Sequence, residues 1–233
     1  MSKRLGIMQP YFLPYIGYWQ LLKACDEFII YDQIQYTKKG WINRNRFLLN
    51  GTDSLFSLPI KNDSDFKDIY NRFLAETFDR NKLLRQLKEA YVKAPHSKAI
   101  FPLLEQIIMC PQDNLFDYIL YSIRTVASHL NITTPLIISS TLEIDQSLKS
   151  QDKVIAICKS RGADSYLNPI GGVDLYDPVS FKNNGIDLGF LKTGTVQYPQ
   201  FDNVFVPHLS IIDVLMFNDQ TRIQEFLGMW DKA

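Results

Sequence analysis

Between Asp32 and Asn45 the chain gathers a dense set of groups able to do chemistry: Asp32, Gln35, Tyr36, Lys38, Lys39, Trp41, Asn43, Arg44 and Asn45. Lysine and arginine in such a loop suit a diphosphate, while the amides of Gln35 and Asn45 could read hydroxyls or amides of a ligand. Asp32 is a candidate general base, with Asn43 and Arg44 placed to stabilise developing negative charge. The plainer alternative has Asp32 capping a turn and the Lys38-Lys39 pair solvated.

Two further segments carry binding rather than catalytic character. In Gln9–Tyr18, the residues Tyr11, Tyr15 and Tyr18 offer flat faces for a base or sugar ring, or else belong to the core with Trp19. Gly17 would let a ligand approach the first turn of a helix, whose free N–H groups and dipole favour phosphate or carboxylate. The run Asn168-Pro-Ile-Gly171-Gly172 presents consecutive amides with little to obstruct them, either an anion-binding nest or a tight turn. Tyr198, Gln200 and Asp213 are candidates for closing a pocket. Cys25, Cys110 and Cys158 are widely spaced, as are His96, His129 and His208, so no metal-ligand spacing is present. There is neither a nucleophile elbow nor a phosphate loop ending in Gly-Lys-Ser/Thr.

These segments have to be positioned by regular elements. Leu5–Met8 and Phe28–Tyr31 read as buried strands, joined by a helix in which Ile16, Trp19, Leu22 and Cys25 share a face, which makes a βαβ unit with parallel strands. Asn50-Gly51, flanked by Phe47–Leu49 and Leu55–Leu58, predicts an antiparallel ribbon over 45–62, its connection lengthened by Thr52 and Asp53. Apolar residues at helical spacing fill about 78–131. Alternation then resumes with strands at Leu136–Ile138, Ser165–Leu167 and Asp187–Leu191, and helices at Lys153–Ser160 and after Asp177-Pro178. The C-terminus reads as helical from Ser210 through Trp230. The expected architecture is one α/β domain over 1–233, with a mainly parallel, Rossmann-like (nucleotidylyltransferase-like) sheet and the ribbon and helices inserted in its middle. In such a sheet ligands bind beyond the carboxyl ends of the strands, which is where the three segments fall.

Composition narrows the class. A chain of 233 residues can bury roughly 70 % of its unfolded surface without disulfides or metal. The 25 basic and 25 acidic residues cancel, which argues against duplex nucleic acid as the partner. No apolar run is long enough to span a membrane and no signal peptide precedes the first strand, so the expected location is the cytoplasm.

The segments Met8–Gln20, Tyr31–Asp32 with Gln35–Asn45, Asn168–Gly172 with Leu175-Tyr176, and Leu209–Asp213 resemble the WbqC-like protein family nearly end to end. That resemblance implies a setting in bacterial O-antigen and other surface-polysaccharide gene clusters, beside enzymes that make nucleotide-linked amino sugars. It implies a transferase that places an acyl or aminoacyl group, such as glycine, on the sugar amine, with a nucleotide or nucleotide-linked sugar as ligand. Two alternatives stand beside it. The helix start Tyr15-Ile-Gly-Tyr18 occupies the position of His-x-Gly-His in adenylyl-transferring α/β folds, by analogy an ATP-dependent ligase or nucleotidylyltransferase lacking both imidazoles. A non-catalytic binding protein of the same pathway is the other.

Overall fold

The computed structural model describes residues 2–64, 66–202 and 204–233. Along the chain run β1 (Arg4–Met8), α1 (Ile16–Ala24), β2 (Glu27–Ile30), β3 (Arg44–Leu49), β4 (Thr52–Ser57), α2 (Arg80–Tyr91), α3 (Ser97–Ile108) and α4 (Leu115–His129). Then follow β5 (Leu136–Ile138), α5 (Ser150–Ser160), β6 (Ser165–Pro169), α6 (Pro178–Asn183), β7 (Asp187–Thr193), α7 (Ile211–Phe217), α8 (Gln220–Gly228) and β8 (Trp230–Lys232).

The six-stranded sheet has the order β5-β2-β1-β6-β7-β8. All its pairings are parallel except β7 with β8. Leu5, Phe28, Ile29, Ile30, Tyr166 and Leu167 are fully buried, as expected of strands covered on both faces. From β1 the chain moves outward to β2 and β5, then returns to the other side of β1 as β6 and moves outward to β7. The switch in strand order therefore lies between β1 and β6.

The ribbon and α2–α4 enter between β2 and β5, as the sequence predicts, with two differences of detail. Leu49 pairs directly with Thr52, so Asn50 and Gly51 alone form the turn, both with positive φ (51° and 78°), the geometry that matches strand twist. The ribbon ends at Ser57, and Ile60 makes only an isolated bridge to Leu74. At the C-terminus the expected helix divides at Asn218-Asp219, where Asp219 caps α8 by accepting from the Arg222 N–H. Trp230 is a strand residue: it pairs with Thr193 at the sheet edge. Its spacing from Phe226 and Leu227 imitates a helical repeat, but the helix has already ended at Gly228.

Two polar clusters, one buried and one part-exposed, tie these pieces together. The Asp213 carboxylate, wholly buried, accepts from Tyr91 Oη (2.9 Å), Tyr198 Oη (2.7 Å) and Gln200 Nε2 (2.6 Å), while Tyr91 Oη accepts from the Leu48 N–H (2.8 Å). Ribbon, α2, α7 and the segment before α7 meet on one carboxylate. Burial raises the Asp213 carboxyl pKa despite the three donors. At the opposite end of the sheet, Glu27 accepts from Nε and a terminal nitrogen of Arg161 (2.9 and 3.0 Å) and pairs with Lys3 (2.8 Å).

Asp213→Ala strands three donors and should lower unfolding free energy by roughly 3 kcal/mol, measured by urea denaturation. An unchanged midpoint would show that the cluster contributes nothing. The Arg161 and Lys3 bonds hold the Glu27 carboxyl below its ordinary value. Its contribution is therefore complete above the unfolded carboxylate range and is lost as pH falls through the lowered pKa. Glu27→Gln should flatten that acid limb of the stability profile.

Candidate functional site

Two adjoining cavities open at the switch point, where β1 and β6 end side by side. Both are lined by Met8 and Tyr11 from the β1 end and Pro169 from the β6 end. Their volumes are about 370 and 1220 Å³.

The smaller cavity is aromatic. Tyr11, Tyr15 and Tyr18 line it with Gly17, Trp41 and Asn45, all expected from the sequence. Burial raises the pKa of the three phenols, so they stay neutral and able to donate. Tyr18 Oη is buried without a hydrogen-bond partner. The cavity also abuts the start of α1, which has no side-chain cap and no acidic residue in its first turn. A Cβ on Gly17 would stand 2.7 Å from Thr193 Oγ1, so the glycine is required as much by packing on the end of β7 as by a ligand.

The walls of this cavity are joined at one carbonyl. Leu13 O accepts from Asn45 Nδ2 (2.8 Å) and Ser210 Oγ (2.7 Å). The Ser210 N–H donates to Arg46 O and the Ile211 N–H to Pro14 O. Leu13 and His208 both hold positive φ (46° and 59°), a conformation that costs a non-glycine residue about 1–2 kcal/mol and concentrates at functional sites.

The larger cavity is more polar. Gln9, Gln35, Asn168, Gly171 and Gly172 line it, as expected, with Tyr31, Gln33, Asp68, Lys149, Ser150, Lys153 and Tyr176. Asn168 Oδ1 accepts from Tyr166 Oη (3.0 Å). A Cβ on Gly172 would lie 2.0 Å from Asn168 Nδ2, whereas Gly171 faces open space. Of the two glycines, Gly171 is the one whose backbone a ligand can approach.

Asp32, Tyr36, Lys38, Lys39, Asn43 and Arg44 line neither cavity. Asp32 is fully buried. Its Oδ1 accepts from Ser139 Oγ (2.6 Å) and the Ser140 N–H (3.0 Å), bridging the ends of β2 and β5, and its Oδ2 has no partner. Asn43 accepts from Tyr36 Oη (2.9 Å) and donates to Leu58 O (2.7 Å). Arg44 turns back onto the carbonyls of Gly40 and Lys39, while Lys38 and Lys39 are exposed. Asn43 and Arg44 hold the shape of the loop itself, while Asp32 ties its start to the end of β5.

Arg46 stands in the cavity wall instead, 5.0 Å over the Trp41 ring. His208 joins it, edge-on to Tyr15 at 5.3 Å, as do Lys149 and Lys153 beside the larger cavity. For one of these the sequence held a signal. It reaches Lys149 alone: the carboxyl end of β5 obeys the same rule as those of β1, β2 and β6 and leads into 139–149, whereas Arg46, Lys153 and His208 lie in a strand, in a helix and far beyond a strand end.

Asp32→Ala should lower stability by about 1–3 kcal/mol in urea unfolding, because it strands two donors between β2 and β5. Unchanged stability would remove the bridging role.

Among the described residues no group of histidine, cysteine and carboxylate side chains could hold a metal ion, and no helix is long and apolar enough to cross a membrane. No solved structure matches the chain. An uncharacterized protein of Mycobacterium tuberculosis, Rv1507c, is 28 % identical over 228 residues, covering 97 % of each chain. The model of the WbqC-like protein family matches residues 9–225, which hold every lining residue of the two cavities except Ile7 and Met8, and the chain belongs to that family.

Proposed function

We propose that the protein is a transferase that binds a nucleotide-linked amino sugar across the two cavities and places an acyl or aminoacyl group, such as glycyl, on the sugar amine. The reading extends to a place in bacterial O-antigen or other surface-polysaccharide synthesis. The observation that carries it is the pair of cavities of unlike chemistry meeting at Tyr11. One is polar and large enough for a phosphorylated ligand. The other is an aromatic slot suited to a sugar ring and a small acyl group.

In this reading the sugar amine attacks the acyl carbonyl, a C–N bond forms, and the bond to the donor's leaving group breaks. The ammonium proton needs an acceptor, and the oxyanion needs donors. His208 suits the first role better than Asp32, because it lines the aromatic cavity whereas the Asp32 oxygens are buried outside it. The neutral Tyr11 and Tyr18 phenols and the uncapped start of α1 suit the second. Purified protein given a nucleotide-linked amino sugar and an activated glycyl or acyl donor should yield an N-acylated sugar by mass spectrometry. His208→Ala should slow that reaction by about 10²–10⁴-fold. Absence of product with every acyl donor would sink the reading.

One observation favours a second reading, ATP-dependent adenylyl transfer. His208 brings beside the helix start an imidazole that Tyr15-Ile-Gly-Tyr18 lacks. Release of pyrophosphate from ATP in the presence of an amino acid would select it.

A further inference from the structure

Lys153 is a charge in search of a partner. Its side chain is only 3 % exposed, yet its Nζ reaches only neutral groups: Gln33 Oε1 and Gln146 O, each at 3.3 Å, with the Tyr31 ring 5.5 Å away. No carboxylate forms an ion pair with it among the described residues. Asp68 lines the same cavity without pairing to it, and Asp145 forms its hydrogen bonds with Ser147 on the exposed loop; those bonds lower its carboxyl pKa, and the Lys153 charge adds to the effect without direct contact. Burying an ammonium without a counter-ion is unfavourable, so such groups are paired or await a ligand.

The surroundings point the same way. Lys153 stands one turn inside α5, whose start has no side-chain cap and lines the larger cavity through Lys149 and Ser150. Gln146 Oε1, in the same wall, is buried without a donor, which leaves an acceptor for a ligand hydroxyl.

We propose that Lys153 is the anion grip of the larger cavity and takes the diphosphate of a nucleotide-type ligand, with Gln33 and Gln146 orienting its ammonium. None of the three segments singled out in the sequence contains this lysine. The proposal deepens the transferase reading and rests on its assignment of a nucleotide-linked ligand, while leaving the aromatic cavity to the group being transferred.

Calorimetric titration of the full chain with UDP, ADP, inorganic pyrophosphate and uridine tests it. Wild type should bind pyrophosphate and at least one nucleoside diphosphate, and Lys153→Met should weaken both at least tenfold. Gln33→Glu supplies the missing counter-charge from within. It should weaken the same ligands comparably without lowering the thermal midpoint, and it decides the matter if Lys153→Met fails to fold. Pyrophosphate binding alone, with no nucleoside diphosphate bound, would identify an inorganic anion site and overturn the nucleotide assignment. Failure of wild type to bind any phosphate probe, or affinities in the folded variants within twofold of wild type, would overturn the grip.

The outcomes separate the two readings. Lys153-dependent binding without acyl transfer sinks the transferase and keeps the grip. Transfer with an unaltered KM for the nucleotide sugar in Lys153→Met sinks the grip and keeps the transferase.

Discussion

The fold turns on the geometry of its central parallel pair. A parallel strand cannot follow its neighbour through a tight turn; the chain must cross over a face of the sheet before the next strand begins. When β1 leads outward to β2 and β5 on one side, and β6 leads to β7 on the other, the connections at their carboxyl ends diverge. The gap between them is left open by topology, before any side chain is considered. Both cavities lie in that gap, and the loops that wall them are the ones with no alternative place to go.

Around the gap and behind it, polar groups divide by task. Asp32, Asn43, Asn45, Ser210 and Asp213 bind backbone or other side chains and hold segments distant in sequence at fixed separations. Apart from Asp32 Oδ2, which has no partner, their burial is met by hydrogen bonds. Tyr18 Oη, Gln146 Oε1 and the Lys153 ammonium lack a full set of partners within the protein. Tyr18, Gln146 and Lys153 are cavity-lining residues, whereas the other buried side-chain atoms without a partner, Gln20 Oε1, Asp32 Oδ2 and Arg80 Nε, belong to residues that line neither cavity.

That division explains what the sequence disclosed. Apolar periodicity is a local property, so it placed the parallel strands, the ribbon and most of the helices, and it failed at Trp230, where local spacing imitated a helix. Turn chemistry at Asn50-Gly51 was legible because two positive-φ positions follow from residue type, although the length of the turn was not. The segments Gln9–Tyr18 and Asn168–Gly172 were legible as lining residues through the strand-end rule. The loop from Asp32 to Asn45 was harder to read. Asn43 and Arg44 have the composition of ligand-binding residues, but whether such groups face a cavity or their own backbone depends on tertiary contacts that no local pattern encodes. Lys153 was hidden for the converse reason: inside a helical repeat, a lysine reads as solvated.

The carbonyl of Leu13 is the point where three segments of the wall meet. It fastens the β1 loop, the ribbon and the start of α7 around the aromatic cavity, in a backbone conformation held by those partners. A cavity braced in this way is largely formed before any ligand arrives, so little ordering cost is left for the binding step. Related ligands would then enter such a slot at similar rates and differ in how long they stay. Selectivity would appear as residence time, set by the fit of the ring and its substituent between Tyr15, Trp41 and His208.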